Sequence, residues 1–169
     1  MKNYISFELA NQFISRVDKQ SLEFILRKNG ATIGENCDIE TGLTFHNCKN
    51  YANLVVGNNC HIGKNCFFDL REKIIIGNNV VISMQVSFIT HLDMTKSDLS
   101  KYYPLSSNSI HVGDHTYIGA GSMVLKGVDL GEHSFVGAGA LVTKDVPSWM
   151  MVGGVPAKIL KRINGIPEK

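Results

Sequence analysis

Residues 112–142 read Val112-Gly-Asp-His-Thr-Tyr-Ile118-Gly-Ala-Gly-Ser-Met-Val124-Leu-Lys-Gly-Val-Asp-Leu130-Gly-Glu-His-Ser-Phe-Val136-Gly-Ala-Gly-Ala-Leu-Val142, with an aliphatic residue at every sixth position. A helix repeats near ~3.6 residues and a strand at ~2, so neither holds one residue type at this spacing. Six-residue units opened by Val, Ile or Leu, mostly followed by Gly, are the signature of a stacked β-coil. Each unit is a short strand plus a corner, and three units close one flat-sided turn.

Toward the amino terminus the same frame continues with interruptions. Ile33, Ile39 and Phe45 lead one coil, and Val56, Ile62 and Phe68 lead the next after a bulge at about residues 49–55. Ile76, Ile82 and Phe88 lead a third after a two-residue slip, and the last two coils run 112–129 and 130–147. Five coils at ~4.8 Å each predict an all-β prism about 24 Å tall. Gly-Asn-Asn recurs at 57–59 and 77–79, supplying the residues that best tolerate a left-handed corner. A single coil cannot shield its apolar side, so the prism is stable only as a stack. Each buried rung contributes about 1.5–3 kcal/mol.

The ends of the frame divide the chain. Residues 1–30 form an amino-terminal helical segment: Phe7, Ala10, Ile14 and Val17 share a face over 5–28, and Leu22, Ile25 and Leu26 continue it on a second short piece. Asn29-Gly30 stops it. The coil domain spans 31–147 and is broken by a polar insertion at 92–109 that carries Tyr102, Tyr103 and Pro104. A long loop in a compact repeat domain points to function. Residues 148–169 form a carboxyl-terminal extension, for which a short helix from Pro156 to Asn164-Gly165 is predicted.

Composition narrows the function classes. A chain of 169 residues with 44% apolar content supports one domain with a proper core, and a net charge of +2 argues against a nucleic-acid partner. No apolar stretch reaches the ~18–20 residues of a transmembrane segment. Glu8, Arg16, Asp18, Lys19 and Glu23 interrupt the amino-terminal apolar residues, unlike a signal peptide, so the expected location is cytoplasmic. Cys37, Cys60 and Cys66 each fall four residues after a leading aliphatic, in a column elsewhere filled by Thr116, Ser122, Ser134 and Ala140. They read as small interior fillers, Cys48 has no assignment, and no C-x-x-C pair suggests a metal.

Two segments carry a resemblance: Val136-Gly-Ala-Gly-Ala-Leu-Val-Thr-Lys-Asp-Val-Pro147 and Gly153-Gly-Val-Pro-Ala-Lys-Ile-Leu-Lys161. With the repeats, the chain over roughly 31–163 resembles the hexapeptide-repeat acyltransferases, in particular sugar and polysaccharide O-acetyltransferases related to galactoside and maltose acetyltransferases. The resemblance implies a left-handed parallel β-helix and acetyl-coenzyme A (acetyl-CoA) as co-substrate. It also implies a homotrimer with active sites between neighbouring subunits and a sugar or saccharide acceptor.

It further implies roles for individual residues. His91, at the mouth of the insertion, matches the family's catalytic histidine. A hydroxyl is a poor nucleophile until its proton is taken, and imidazole is suited to that task near neutral pH. Asp93 follows in His-Leu-Asp, where relatives often read His-Pro-x-Asp; it orients His91, meets the acceptor or solvates the loop. Asp69 resembles an acidic position near the acceptor, with a charged corner as the other reading. Tyr117 falls where galactoside acetyltransferases carry a Trp that walls the pocket.

Gly119-Ala120-Gly121 and Gly137-Ala138-Gly139 stand eighteen residues apart, one above the other, as a lane of small residues that a pantetheine arm can approach. Relatives contact the arm at the positions of Ala120 and Ala138, and the amide near Ala120 is placed to stabilise an oxyanion. Thr143 matches a polar contact to the same arm, and Lys144, Lys158 and Lys161 match phosphate-facing cations.

Other readings stay open. The same machinery serves N-acetylation of an amino sugar or O-acetylation of serine, although the long helical domain typical of serine acetyltransferases is not in the sequence. A zinc enzyme on this prism would use histidines, with His111 and His115 as candidates, and a non-catalytic trimeric scaffold would bind no coenzyme A. His115 and His133, eighteen residues apart, are expected to form a surface ladder; His46 and His61 have no partner pattern.

Overall fold

The computed structural model describes residues 7–163, and within them the sixfold frame becomes a three-sided parallel β-helix of five coils. The first face stacks Thr32–Ile33, Leu54–Val56, Ile74–Ile76, Ile110–Val112 and Asp129–Leu130. The second stacks Asp38–Ile39, His61–Ile62, Val81–Ile82, Tyr117–Ile118 and Phe135–Val136. The third stacks Thr44–His46, Phe67–Asp69, Ser87–Ile89, Met123–Leu125 and Leu141–Val142.

Every leading residue named from the spacing is at most 5% exposed. On the third face Phe45, Phe68 and Phe88 stack with ring centroids 5.5 and 5.3 Å apart, so three coils share one aromatic column. Cys60 and Cys66 fill interior positions as expected, and Cys37 is half-buried. Burial pushes the Cys66 thiol up to about 11.

The corners explain the Asn residues. Between the first and second faces Asn36, Asn59, Asn79, His115, His133 and Trp149 all have φ between 55° and 66°. The amide of each, from Asn59 onward, donates to a carbonyl of the coil below, as His115 N does to Asn78 O at 2.9 Å. In the upper coils the column becomes a ring stack: His115 to His133 at 4.6 Å and His133 to Trp149 at 3.9 Å. The expected ladder is therefore present, with Trp149 as its unforeseen cap.

The amino-terminal segment closes the lower end. Helix α1 (Phe7–Phe13) passes through a 3₁₀ turn at Ile14–Arg16 before α2 (Lys19–Lys28). The α2 helix starts where Asp18 accepts from Ser21 N at 3.0 Å. Ile14, Leu22 and Leu26 bury against the first coil. Arg27 donates to the carbonyls of Ile33 and Gly34, and Tyr51, fully buried, donates to Asn11 at 3.0 Å. Residues 5 and 6 of the expected helix lie outside the described residues.

The upper end corrects the expected carboxyl-terminal helix. Met150–Gly153 adds to the second face parallel to Phe135–Val136, and Lys158–Arg162 returns antiparallel to it. The last coil leaves an open row of N–H and C=O groups on that face, and strand pairing satisfies them. This outweighs the helical propensity of Ala-Lys-Ile-Leu-Lys. Gly154 turns at φ 94°, two residues before the expected helix start at Pro156; Asn164-Gly165 lies outside the described residues.

Candidate active site

Each functional side chain is placed by the edge its strand runs into. Ser87–Ile89 ends the third face in the third coil, and Thr90-His91 then leaves the prism. The insertion is built, not slack. His91–Leu92 pairs antiparallel with Ser106–Ser107, and a 3₁₀ turn at Asp98–Lys101 is capped by Ser97. The two-residue slip after Asp69 steadies this hairpin: Glu72 accepts from Ser107 at 2.7 Å, and Arg71 lies 3.8 Å from Asp93.

Asp69 sits one coil below His91, with its side chain 1% exposed against 21% for His91. Its Oδ2 is 2.5 Å from Nδ1 of His91 and accepts from Thr90 N at 2.8 Å and Thr90 Oγ1 at 3.0 Å. Its Oδ1 accepts from Asn47 Nδ2 at 2.8 Å. Burial alone would push the carboxyl up, but the donors His91, Asn47 and Thr90 together outweigh it and hold Asp69 below the ordinary carboxylate range. An ionised carboxylate facing Nδ1 keeps the ring proton there, which leaves Nε2 as the bare, basic nitrogen.

The structure thus assigns Asp69 a place that neither sequence reading gave it, beneath the histidine and out of solvent. Among the described residues no hydrogen bond joins Asp93 to His91. Oδ1 of Asp93 accepts from Thr95 N and Oγ1 at 3.0 and 2.8 Å, bonds that hold it below its usual pKa. Asp93–Ser97 line an open cavity of about 430 Å³ at the loop mouth.

The small-residue lane lies along a different edge, between the second and third faces. Gly139 N donates to Ala120 O at 2.8 Å, and a Cβ on Gly119 would come within 2.5 Å of Ala138 N. At Gly119 the two coils therefore approach too closely for any side chain, whereas a Cβ on Gly121 or Gly139 would meet open space. Among the described residues, the backbone amides of Ala120 and Ala138 donate to no acceptor within the chain. Tyr117 adjoins the lane on the second face, half-buried and stacked on Phe135 at 4.6 Å.

Thr143, Lys144 and Lys158 come together around one cavity of about 550 Å³, closed by Pro156, Ala157 and Ile159 of the terminal hairpin. Lys161 is outside that lining and pairs opposite Met151. His111 is exposed on the first face, away from the corner that holds His115, and among the described residues no three His, Cys, Asp or Glu side chains gather as metal ligands. His61 has a partner the sequence did not suggest, Asp38 at 2.9 Å.

Asn47 and Thr90 were not foreseen. Each is the first residue past its strand, two residues after Phe45 and Phe88, where the sixfold frame no longer dictates side-chain direction.

Comparison with known proteins agrees with this layout. The model described as bacterial transferase hexapeptide (six repeats) matches residues 109–144, and the hexapeptide repeat of succinyl-transferase matches 53–87. The chain is 30% identical over 166 residues to galactoside O-acetyltransferase of Escherichia coli (strain K12), covering 95% of this chain and 76% of that protein. It is 32% identical over the same length, with the same coverage, to galactoside O-acetyltransferase of Lactococcus lactis subsp. lactis (strain IL1403). A solved galactoside acetyltransferase in complex with coenzyme A superposes with TM-score 0.80 at 25% identity, over 93% of this chain and 78% of that one. This likeness carries the left-handed sense of the coil.

Proposed function

The chain belongs to the hexapeptide-repeat acetyltransferases, and on that premise we propose that it moves an acetyl group from acetyl-CoA to a hydroxyl of a sugar or polysaccharide precursor. The observation that carries the reading is the Asp69–His91 pair, 2.5 Å apart, at the mouth of an ordered insertion. Nε2 of His91 takes the acceptor proton, and Asp69 stabilises the imidazolium that forms. His91 then returns the proton to the departing thiolate.

On the donor side Ala120 and Ala138 meet the pantetheine arm through backbone atoms, with Tyr117 as the wall. The Ala120 amide stabilises the charge that develops on the carbonyl oxygen. Thr143, Lys144 and Lys158 hold the far end of the donor in their cavity, with Lys161 beside them. Asp93 borders the acceptor side of the loop mouth.

His91 leaves the edge between the third and first faces, whereas the lane follows the edge between the second and third. One copy therefore does not bring base and donor lane together. The reading needs a second copy whose lane faces His91, as in a homotrimer. Mixing an inactive His91→Ala chain with an inactive lane variant, Gly121→Trp, tests this. Regained turnover supports shared sites, and none from any mixture overturns them. Acetyl-CoA turnover against a panel of sugars, with the product analysed as ester or amide, tests the reaction itself; an amide product would replace the O-acetyl reading with amino-sugar N-acetylation.

A further inference from the structure

Asn47 has no part in the reaction as drawn, yet it reaches the centre of it. It follows Thr44–His46 with φ 54°, a left-handed conformation that Asn tolerates better than most residues. From there Nδ2 donates to Oδ1 of Asp69 at 2.8 Å and lies 3.4 Å from Nδ1 of His91. Asn47, Asp69 and His91 come from three successive coils.

Asp69 has two oxygens with unequal loads. Oδ2 serves Thr90 N, Thr90 Oγ1 and His91, while among the described residues Asn47 is the partner of Oδ1. Without that anchor the carboxylate is held through Oδ2 alone and swings about its Cβ–Cγ bond, drawing its oxygen out of line with Nδ1 of the ring. The amide orientation is itself decided by Asp69, because an Asn oxygen turned toward a carboxylate would be repelled. An NH₂ group thus faces Nδ1, so the ring proton has Asp69 as its acceptor.

We infer that Asn47 is a positioning residue: it locks the rotation of Asp69 and so keeps His91 in the tautomer with Nε2 bare. The inference rests on the acetyl-transfer reading, in which His91 is the base. Other groups around the pair are committed elsewhere or uncharged. Asp93, in the insertion, is bonded to Thr95 and pairs with Arg71; Glu72 is bonded to Ser107. The Cys48 thiol is pushed up to about 11, by burial and then by the charge of Asp69, and stays protonated. His46, opposite Asp69 in register, is exposed.

Two variants that accept the left-handed backbone test this. Asn47→Gly removes the donor and keeps the corner. Its kcat should fall roughly five- to tenfold with KM for acetyl-CoA unchanged, and the imidazole ¹⁵N spectrum of His91 should show the proton shared between both nitrogens. Asn47→Asp places a second carboxyl beside Asp69, and such a pair ionises fully only with difficulty. While the pair shares one proton it mimics the amide; when that proton leaves, turnover should fall, adding a descending limb to the pH profile.

A wild-type profile in Asn47→Asp together with wild-type kcat in Asn47→Gly overturns the inference. If the wild-type chain acetylates no acceptor, the acetyl-transfer reading fails instead. The ¹⁵N spectrum then decides alone: a mixed tautomer in Asn47→Gly supports positioning, and an unchanged one overturns it.

Discussion

Oδ2 of Asp69 lies 2.5 Å from Nδ1 of His91, joining a carboxylate sealed inside the prism to a ring that is still open to solvent. Four donors satisfy that carboxylate, so it does not compete for the proton that His91 takes. His91→Ala should lower turnover by about 10²–10⁴ while calorimetry shows unchanged coenzyme A binding. Retained turnover would end the case for this base.

Asp69→Asn should be nearly as damaging, although it preserves shape. Its amide is able to donate to Nδ1 and so drive the proton onto Nε2, the wrong tautomer, for a loss of about 10²–10⁴ in kcat. A variant with wild-type kcat would show that ring orientation does not depend on the charge.

Stability should carry the same signature. The folded carboxyl of Asp69 is held below its ordinary value of 3.8. The contribution of Asp69 is therefore complete above that value and is lost as pH falls through the lower folded one. Thermal melts of the wild type should show this loss below about pH 3.8. Asp69→Asn should start less stable at neutral pH and show a shallower acid fall; parallel curves would contradict the linkage.

On the donor side, Lys144→Ala and Lys158→Ala should each weaken coenzyme A binding about three- to tenfold, as expected of solvent-screened cations on phosphates. Dephospho-coenzyme A should be less affected. Lys161→Ala, outside the cavity lining, should change affinity less than either, and the reverse ranking by titration calorimetry would relocate the phosphates.

Two of the four lane glycines, Gly119 and Gly121, should fail for different reasons. Gly119→Ala drives a Cβ to 2.5 Å from a backbone nitrogen, an overpacking cost of about 1–3 kcal/mol. Gly121→Ala meets open space but must adopt φ 68°, at about 1–2 kcal/mol. Melting should show both losses. Coenzyme A binding measured below the melt should fall only where the lane itself is distorted.

Much of this architecture was legible in residue order because burial imposes a period. Each six-residue unit must turn its leading apolar side chain toward the axis, so the burial of Val112 through Val142 and of Phe45, Phe68 and Phe88 follows from spacing alone. The lane was legible for a related reason: eighteen residues make one coil, which stacks Gly119 under Gly137 wherever the frame is unbroken. The carboxyl-terminal hairpin was not, because Lys158–Arg162 has helical local propensity and becomes a strand only when the open edge of the second face needs partners. The histidine's support was equally hidden. Asp69 ends its strand, and Asn47 and His91 lie just past theirs; the three stand one, two and three residues past Phe68, Phe45 and Phe88. At such edges the periodicity falls silent, and the meeting of three coils decides which atoms touch.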